Sequence, residues 1–183
     1  MASMRLSGER SESGFTLIDL LFVISLIGLL STLALPGLMR ARGAAQSASA
    51  LGTIKVVNSA QLSFAITCGL GFYSPDFQTL GVRPPASVEA FLAPEMSGGP
   101  TFVKSGYLFS MAGTGLPGAP GSCNGLAAGA AASGYAVVAD PLDVTPPARF
   151  LASNADGAIY EHTASLSAIM PETGAPAQGA PIH

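Results

Sequence analysis

The distribution of apolar residues predicts one long helix at the start of the chain. Residues Leu20 to Met39 are 20 consecutive residues without a charge, and a helix of about 20 apolar residues at 1.5 Å per residue crosses the roughly 30 Å core of a membrane. From Arg40 to Cys68 the apolar residues recur with helical spacing at Leu51, Ile54, Val57, Leu62, Phe64 and Ile66. We therefore expect a helix over residues 15 to about 67, membrane-spanning at first and then amphipathic, with a kink at Pro36.

Alternation of apolar and polar residues predicts a sheet in residues 101–162. Every second residue is apolar in two segments, at Tyr107, Phe109 and Met111, and at Tyr135, Val137 and Ala139. Residues 148–162 then read as a hairpin with its turn at Asp156 and Gly157. A small antiparallel sheet of three or four strands packed on the long helix gives an α+β fold.

The other segments have weaker patterns. Residues 69–100 form a loop with two short helical candidates, one after Ser74 and Pro75 and one over Ser87 to Leu92. Residues 113–133 are a loop rich in Gly, Ala and Pro. Residues 171–183 lack apolar periodicity, and we expect a coil tail there.

One acidic residue, Asp19, lies near the start of the apolar run. A carboxylate inside a membrane costs about 2.5–3.5 kcal/mol on insertion scales, so such a residue is by default a candidate for function. The preceding polar segment carries Arg5 and Arg10, which favours a cytoplasmic N-terminal flank. Because Arg40 and Arg42 follow the run at its other end, charge alone leaves the orientation open.

The segment GFTLIDLLFVISLIGLLSTLALPGLMRAR resembles the N-terminal signature of type IV pilins and of type II secretion pseudopilins. The resemblance covers residues 1 to about 67 and implies cleavage by a prepilin peptidase between Gly14 and Phe15, followed by N-methylation of Phe15. It also implies that Asp19 pairs with the Phe15 amine of a neighbouring subunit during assembly. The family usually has glutamate there, and aspartate is shorter by one methylene. Pro36 lies where the family usually has a proline.

The resemblance predicts three segments and a structural function. Residues 1–14 would be a leader, residues 15–39 the transmembrane and filament-core helix, and residues 40–183 a periplasmic or extracellular domain. The protein would be a pilin that lies in the inner membrane before assembly and then in a cell-surface filament. Its partners would be other copies, related pilins and the prepilin peptidase.

Two other interpretations remain open at this stage. Within the family, the chain could be a type II secretion pseudopilin. Outside it, the chain could be a secreted binding or enzymatic domain behind an ordinary signal peptide, because Thr32 and Ala34 are small residues at suitable positions for cleavage before Leu35. A plain membrane anchor is a further interpretation of the same apolar run.

The charge and the cysteine content of the chain bear on which functions and which compartment are possible. Charged residues are only 10% of the chain and the formal net charge is −3 without a basic cluster, which argues against nucleic-acid binding. The two cysteines, Cys68 and Cys123, follow the membrane segment. If this part of the chain is exported, it lies in an oxidising compartment, where the two cysteines would form a disulfide.

The candidate chemical groups are sparse and do not predict an enzyme, a cofactor or a metal. Gly113, Gly115 and Gly118 match G-x-G-x-x-G, but Pro117 and Pro120 interrupt the helix that a dinucleotide site needs. Acidic side chains near a turn could bind calcium, although such a cluster is more often only a turn; these are Asp140, Asp143 and Asp156. His162 and His183 have no catalytic partners at a recognisable spacing.

Overall fold

The computed structural model describes residues 14–85, 87–144 and 148–182. The chain divides into two units, residues 1–42 and residues 43–183. Helix α1 (Leu17–Thr67) runs from the first unit into the second, which confirms the long helix expected from the apolar pattern. Of the expected leader, only Gly14 lies among the described residues.

In the first unit, no described residue covers the apolar surface of α1. All of its residues up to Arg42 are exposed, and its mean hydropathy reaches 2.4 over a membrane-length window. Pro36 lies inside the helix, which continues through it. The hydroxyl groups of Ser25, Ser31 and Thr32 each donate to a carbonyl of the preceding turn at 2.8 Å, so these polar atoms are satisfied without water.

In the second unit, one face of α1 enters the core. Ile54, Val57 and Phe64 have no exposed surface, as their helical spacing predicts. Leu62 and Ile66 were expected on the same face, but they are 55% and 73% exposed. Each lies two residues from Phe64, and two residues turn a helix by about 200°. These two side chains therefore point away from the core, and their assignment to the buried face was wrong.

The sheet is antiparallel and has six strands in sequence order, where three or four were expected. The strands are β1 (Thr101–Lys104), β2 (Tyr107–Ala112), β3 (Ala136–Pro141), β4 (Phe150–Asn154), β5 (Ile159–His162) and β6 (Ala180–Ile182). The unexpected strands, β1 and β6, have four and three residues, too few to display an alternation. Strand β6 lies in the segment expected to be a coil tail.

Turn chemistry explains two of the hairpins. Ser105 and Gly106 connect β1 to β2 with φ angles of 51° and 79°, and a two-residue hairpin turn of this kind requires positive φ at both positions. The expected turn at Gly157 joins β4 to β5, where Gly157 has φ 79° and its N–H donates to the Asn154 carbonyl at 2.9 Å.

Both faces of the central strands are buried. On the inner face, Phe109, Val137 and Leu151 pack in one core with the buried face of α1, as the alternation in β2 and β3 predicts. On the outer face, Val138 and Ala152 are covered by two side chains from the segment between β5 and β6, Leu166 and Met170.

Asn154 holds this outer covering segment in place. Its side chain has no exposed surface, and its amide nitrogen donates to the carbonyls of Pro171 and Gly174 at 3.1 and 2.6 Å. The Asp156 carboxylate accepts from the Gly174 N–H at 2.7 Å. The segment therefore contributes a second, smaller apolar cluster that alternation within the strands does not reveal.

A buried polar network links α1 to the sheet. The Tyr135 hydroxyl donates to Asn58 at 3.1 Å, and the Asn58 amide nitrogen donates to the Ser153 hydroxyl at 2.8 Å. Burial raises the pKa of the Tyr135 phenol, and the neighbouring Tyr73 raises it further. The phenol therefore stays protonated at neutral pH and keeps donating to α1.

The two short helices differ from the expected ones at their N-termini. Helix α2 (Phe77–Gly81) is capped by Asp76, whose carboxylate accepts from the Thr79 N–H at 2.7 Å, where a cap at Ser74 was expected. Helix α3 (Pro94–Ser97) begins with a proline, which is favoured in the first turn. It lies beyond Ser87 to Leu92, the segment expected to be helical.

Gln61, near the C-terminal end of α1, connects the helix to the loop that follows it. Its side chain has no exposed surface. Its amide nitrogen donates to the Ser74 carbonyl at 2.8 Å, and its amide oxygen accepts from the Ser74 N–H at 2.9 Å. Both backbone groups of Ser74 are thus satisfied by one side chain in the core.

We predict that Gln61→Leu destabilises the globular part by about 2–6 kcal/mol, because two buried backbone groups lose their partner at about 1–3 kcal/mol each. Urea unfolding of the full chain in mild detergent would measure the change. The matched control is Gln78→Leu, at an exposed position, which should change stability by less than about 0.5 kcal/mol. Equal effects of both variants would contradict this role of Gln61.

Candidate functional site

The start of α1 brings together the residues that the pilin resemblance singled out. Gly14, Phe15 and Thr16 precede the helix, and Asp19 is its third residue. Phe15 is 78% exposed. A side chain placed at Gly14 would meet no atom within 4 Å, so the fold itself does not require glycine at this position.

Thr16 and Asp19 form a reciprocal cap on the helix. The Asp19 carboxylate accepts from the Thr16 N–H at 3.2 Å and from the Thr16 hydroxyl at 2.5 Å. In return, the Thr16 hydroxyl oxygen accepts from the Asp19 N–H at 3.3 Å. This is the geometry of a capping box, in which Ser or Thr at the cap position exchanges hydrogen bonds with an acid three residues later.

The cap gives Asp19 a role within a single chain. The first N–H groups of a helix have no acceptor within the helix, and in a membrane no water satisfies them. The partial positive charge at a helix N-terminus also favours a carboxylate there. Sequence reasoning overlooked Thr16, although the spacing T-x-x-D ahead of an apolar run was the signal for this contact.

Pairing between copies concerns a different nitrogen. In the uncleaved chain, the Phe15 nitrogen is part of the peptide bond to Gly14, and only cleavage would convert it to an amine. Every residue from Gly14 to Asp19 is exposed. The described residues therefore leave space for the Asp19 carboxylate to exchange the Thr16 side chain for that amine. The predicted pairing of Asp19 with a neighbouring Phe15 stays a prediction.

The Cys68–Cys123 disulfide expected from the sequence is present. Cys68 follows the end of α1 and is 3% exposed, while Cys123 lies in the exposed loop, where its N–H donates to the Cys68 carbonyl at 3.1 Å. The bond closes a loop with a sequence separation of 55, which corresponds to about 4 kcal/mol of stabilisation in the chain-entropy model. It therefore fixes a Gly- and Ala-rich loop to the helix.

The other candidate groups serve the fold in the described part of the chain. Asp140 accepts from the Ser165 hydroxyl at 2.7 Å, and the His162 ring accepts from the Ala164 N–H at 3.1 Å. Among the described residues no group of three His, Cys, Asp or Glu could hold a metal ion. His183 lies outside those residues.

Close packing explains two of the three glycines of the G-x-G-x-x-G match, Gly113 and Gly115, while Gly118 has a φ of 102°. A side chain at Gly113 would come within 3.1 Å of the Pro75 backbone, and one at Gly115 within 2.8 Å of the Gly129 carbonyl. Gly113 thus allows the loop that follows α1 to approach closely, and Gly115 allows two parts of the 113–133 loop to approach each other.

We predict that Thr16→Val accelerates amide hydrogen exchange at Asp19 and Leu20 several-fold in detergent-solubilised protein, because the first turn of α1 loses its cap. Thr16→Ser retains a hydroxyl group and should exchange like the wild type. Residue-resolved hydrogen exchange by NMR would compare the three proteins. Unchanged protection in Thr16→Val would show that the cap does not stabilise this turn.

No protein-family model, curated protein or solved structure matches this chain. A conclusion about function therefore rests on the geometry of the chain itself and on the resemblance of residues 1 to about 67 to the pilin signature.

Proposed function

We propose that this chain is a structural subunit of a type IV pilus or a related filament, cleaved between Gly14 and Phe15 and assembled through α1. The observation that carries the proposal is the uncovered apolar surface of the first half of α1. Its large apolar side chains from Leu17 to Met39 are 43–82% exposed. Water is a costly surrounding for such a surface, at about 25 cal/mol for each Å² of apolar area.

Two surroundings could cover this surface in turn. Before assembly, a membrane would cover it, since the helix is long and apolar enough to span one. After assembly, the corresponding helices of other copies would cover it. Inner-membrane insertion followed by transfer into a cell-surface filament is the order of events that the pilin resemblance implies.

The second half of α1 supports assembly over a plain membrane anchor. Val56, Leu62 and Ile66 are 48%, 55% and 73% exposed, and they follow Arg40 and Arg42, which would mark the end of a membrane segment. Beside them lies a shallow groove lined by Lys55, Val56, Ser59, Ala60, Ser63 and Phe91. An anchor alone would need no such apolar surface outside the membrane.

Asp19 supports the same interpretation through its charge. An unpaired charge buried between helices is strongly unfavourable, whereas a paired one can fix the register of the packing. The new amine of Phe15 in a neighbouring copy would supply the opposite charge. The Thr16 side chain would hold the carboxylate until that partner arrives.

A type II secretion pseudopilin is the alternative within the same class, since it would use the same N-terminal segment. A secreted domain behind an ordinary signal peptide is the alternative in another class. Cleavage before Leu35 would divide α1 within its continuous helical segment, whereas cleavage before Phe15 would leave it entire. The intact helix is therefore the more useful product for a filament subunit.

We predict that the mature protein begins at Phe15 with an N-methyl group, as mass spectrometry of the N-terminal peptide would show. Gly14→Leu should leave the precursor in the membrane, because the pilin resemblance implies a peptidase that cuts after glycine. The open surroundings of Gly14 mean that the larger side chain would not disturb the fold. Gly28→Leu, which is also in open space, is the control and should be processed normally. A mature N-terminus at Leu35 would refute the proposal.

We predict that Asp19→Ala reaches the membrane at the normal level but forms few filaments, because the neighbouring amine then lacks its partner. Asp19→Glu should assemble at least as well as the wild type. The measurement is the ratio of sheared filaments to membrane-pool subunit.

Thr16→Val separates the two roles of Asp19 in this experiment, since it removes the cap and retains the charge. Filament yields should rank Thr16→Val above Asp19→Ala. Normal filaments from Asp19→Ala would contradict the pairing, and equal losses in both variants would assign the effect to the cap.

A further inference from the structure

The apolar segment of α1 is followed by two exposed basic side chains. Arg40 directly follows the 20 uncharged residues, and Arg42 lies two positions further along α1. Both are exposed. Within residues 14–85, 87–144 and 148–182, neither guanidinium group has an acidic partner; the ion pair recorded there joins Arg149 to Glu161.

The helix itself cannot neutralise these charges. Asp19 is the acidic residue of α1, and it precedes Arg40 by 21 residues. At 1.5 Å per residue, this separation is about 32 Å along the axis, far beyond the Debye length of about 8 Å at physiological ionic strength. Among the described residues, α1 therefore supplies no counter-charge within reach of Arg40 and Arg42.

We propose that Arg40 and Arg42 each bind the phosphate group of an anionic lipid at the depth where α1 leaves the membrane. The inference rests on the membrane insertion in the proposed function, but not on filament assembly. A helix that is buried in lipid up to Met39 places the next turn at the headgroup level. There the lipid phosphates are the most abundant groups of opposite charge.

The guanidinium groups of Arg40 and Arg42 suit lipid phosphates in their chemistry and in the directions they take from the helix. Guanidinium groups offer a planar fork of N–H donors that binds phosphate oxygens in pairs. Because two residues turn a helix by about 200°, Arg40 and Arg42 leave the helix on nearly opposite sides. Each can bind a separate headgroup, so an anionic lipid would be enriched on both flanks of the helix.

The experiment uses Met39→Trp in the full-length chain, which otherwise contains no tryptophan. The protein is placed in vesicles of one composition, phosphatidylcholine with a minority of phosphatidylglycerol. Bromine, which quenches tryptophan fluorescence on contact, is carried by the phosphatidylglycerol in one sample and by an equal amount of phosphatidylcholine in the other. The ratio of the two quenching efficiencies reports the local lipid composition around the introduced tryptophan.

We expect quenching by brominated phosphatidylglycerol to exceed that by brominated phosphatidylcholine about twofold to fivefold, because basic residues attract anionic headgroups at a membrane surface. In Arg40→Gln/Arg42→Gln the ratio should fall to about one. Lys55→Gln, which removes an exposed basic residue further along α1, is the matched control and should keep the wild-type ratio. Inorganic phosphate added at constant ionic strength should leave the ratio unchanged.

The other outcomes would each overturn the proposal in a distinct way. A ratio of one with both arginines present, or a retained ratio in the double glutamine variant, would show that the arginines do not select anionic lipid. Loss of the ratio with inorganic phosphate would assign the site to free phosphate. Absence of quenching by either lipid would refute membrane insertion itself, whereas filament yield tests assembly separately.

Discussion

Helix α1 has to satisfy two different surroundings with one continuous set of backbone hydrogen bonds. Its second half places Ile54, Val57 and Phe64 in the core against the sheet, while every residue of its first half, up to Arg42, is exposed. The folded domain therefore packs against only part of α1, which is its longest helix. The exposed apolar remainder would be covered by lipid or by other protein chains if the proposed function is correct, and this requirement is the physical basis for the proposal.

Polar contacts at defined points adapt the helix to these surroundings. At its start, Thr16 and Asp19 satisfy each other and the first turn. In its second half, Asn58 and Gln61 bind groups in the sheet and in the following loop. Asp19, Arg40 and Arg42 lie at the two ends of the uncharged run, whereas uncharged side chains, Asn58 and Gln61, make the contacts inside the globular part. A helix of this kind could pass out of a membrane while the polar groups at its start and those in the domain core all keep their hydrogen bonds.

Regular spacing made much of the fold predictable. The uncharged run and the recurring Ile54, Val57 and Phe64 were sufficient for α1, and alternation at Phe109 and Val137 was sufficient for β2 and β3. The strands that were overlooked, β1 and β6, are short edge strands at the two sides of the sheet. Their pairing is decided by the neighbouring strand and turn, which a local pattern does not contain.

The candidate site was predictable in position but not in its contacts. The motif placed Gly14, Phe15 and Asp19 together, whereas the role of Thr16 depends on the direction of a single hydroxyl group. Leu62 and Ile66 show the opposite error, because a four-residue spacing of apolar residues predicted core positions that the fold leaves exposed. Their exposure follows from which face of α1 the sheet covers, and that face is set by residues distant in the sequence.

The position of the disulfide determines how the domain would respond to mechanical force. Cys68 follows the last turn of α1, so a pull along the helix reaches the loop around Cys123 through a covalent bond. The segment between the two cysteines cannot be drawn out while this bond is intact. Extension would therefore have to begin after Cys123, by separating strands of the sheet. An oxidised subunit would bear tension through its helix and shield the α2–α3 region from unravelling.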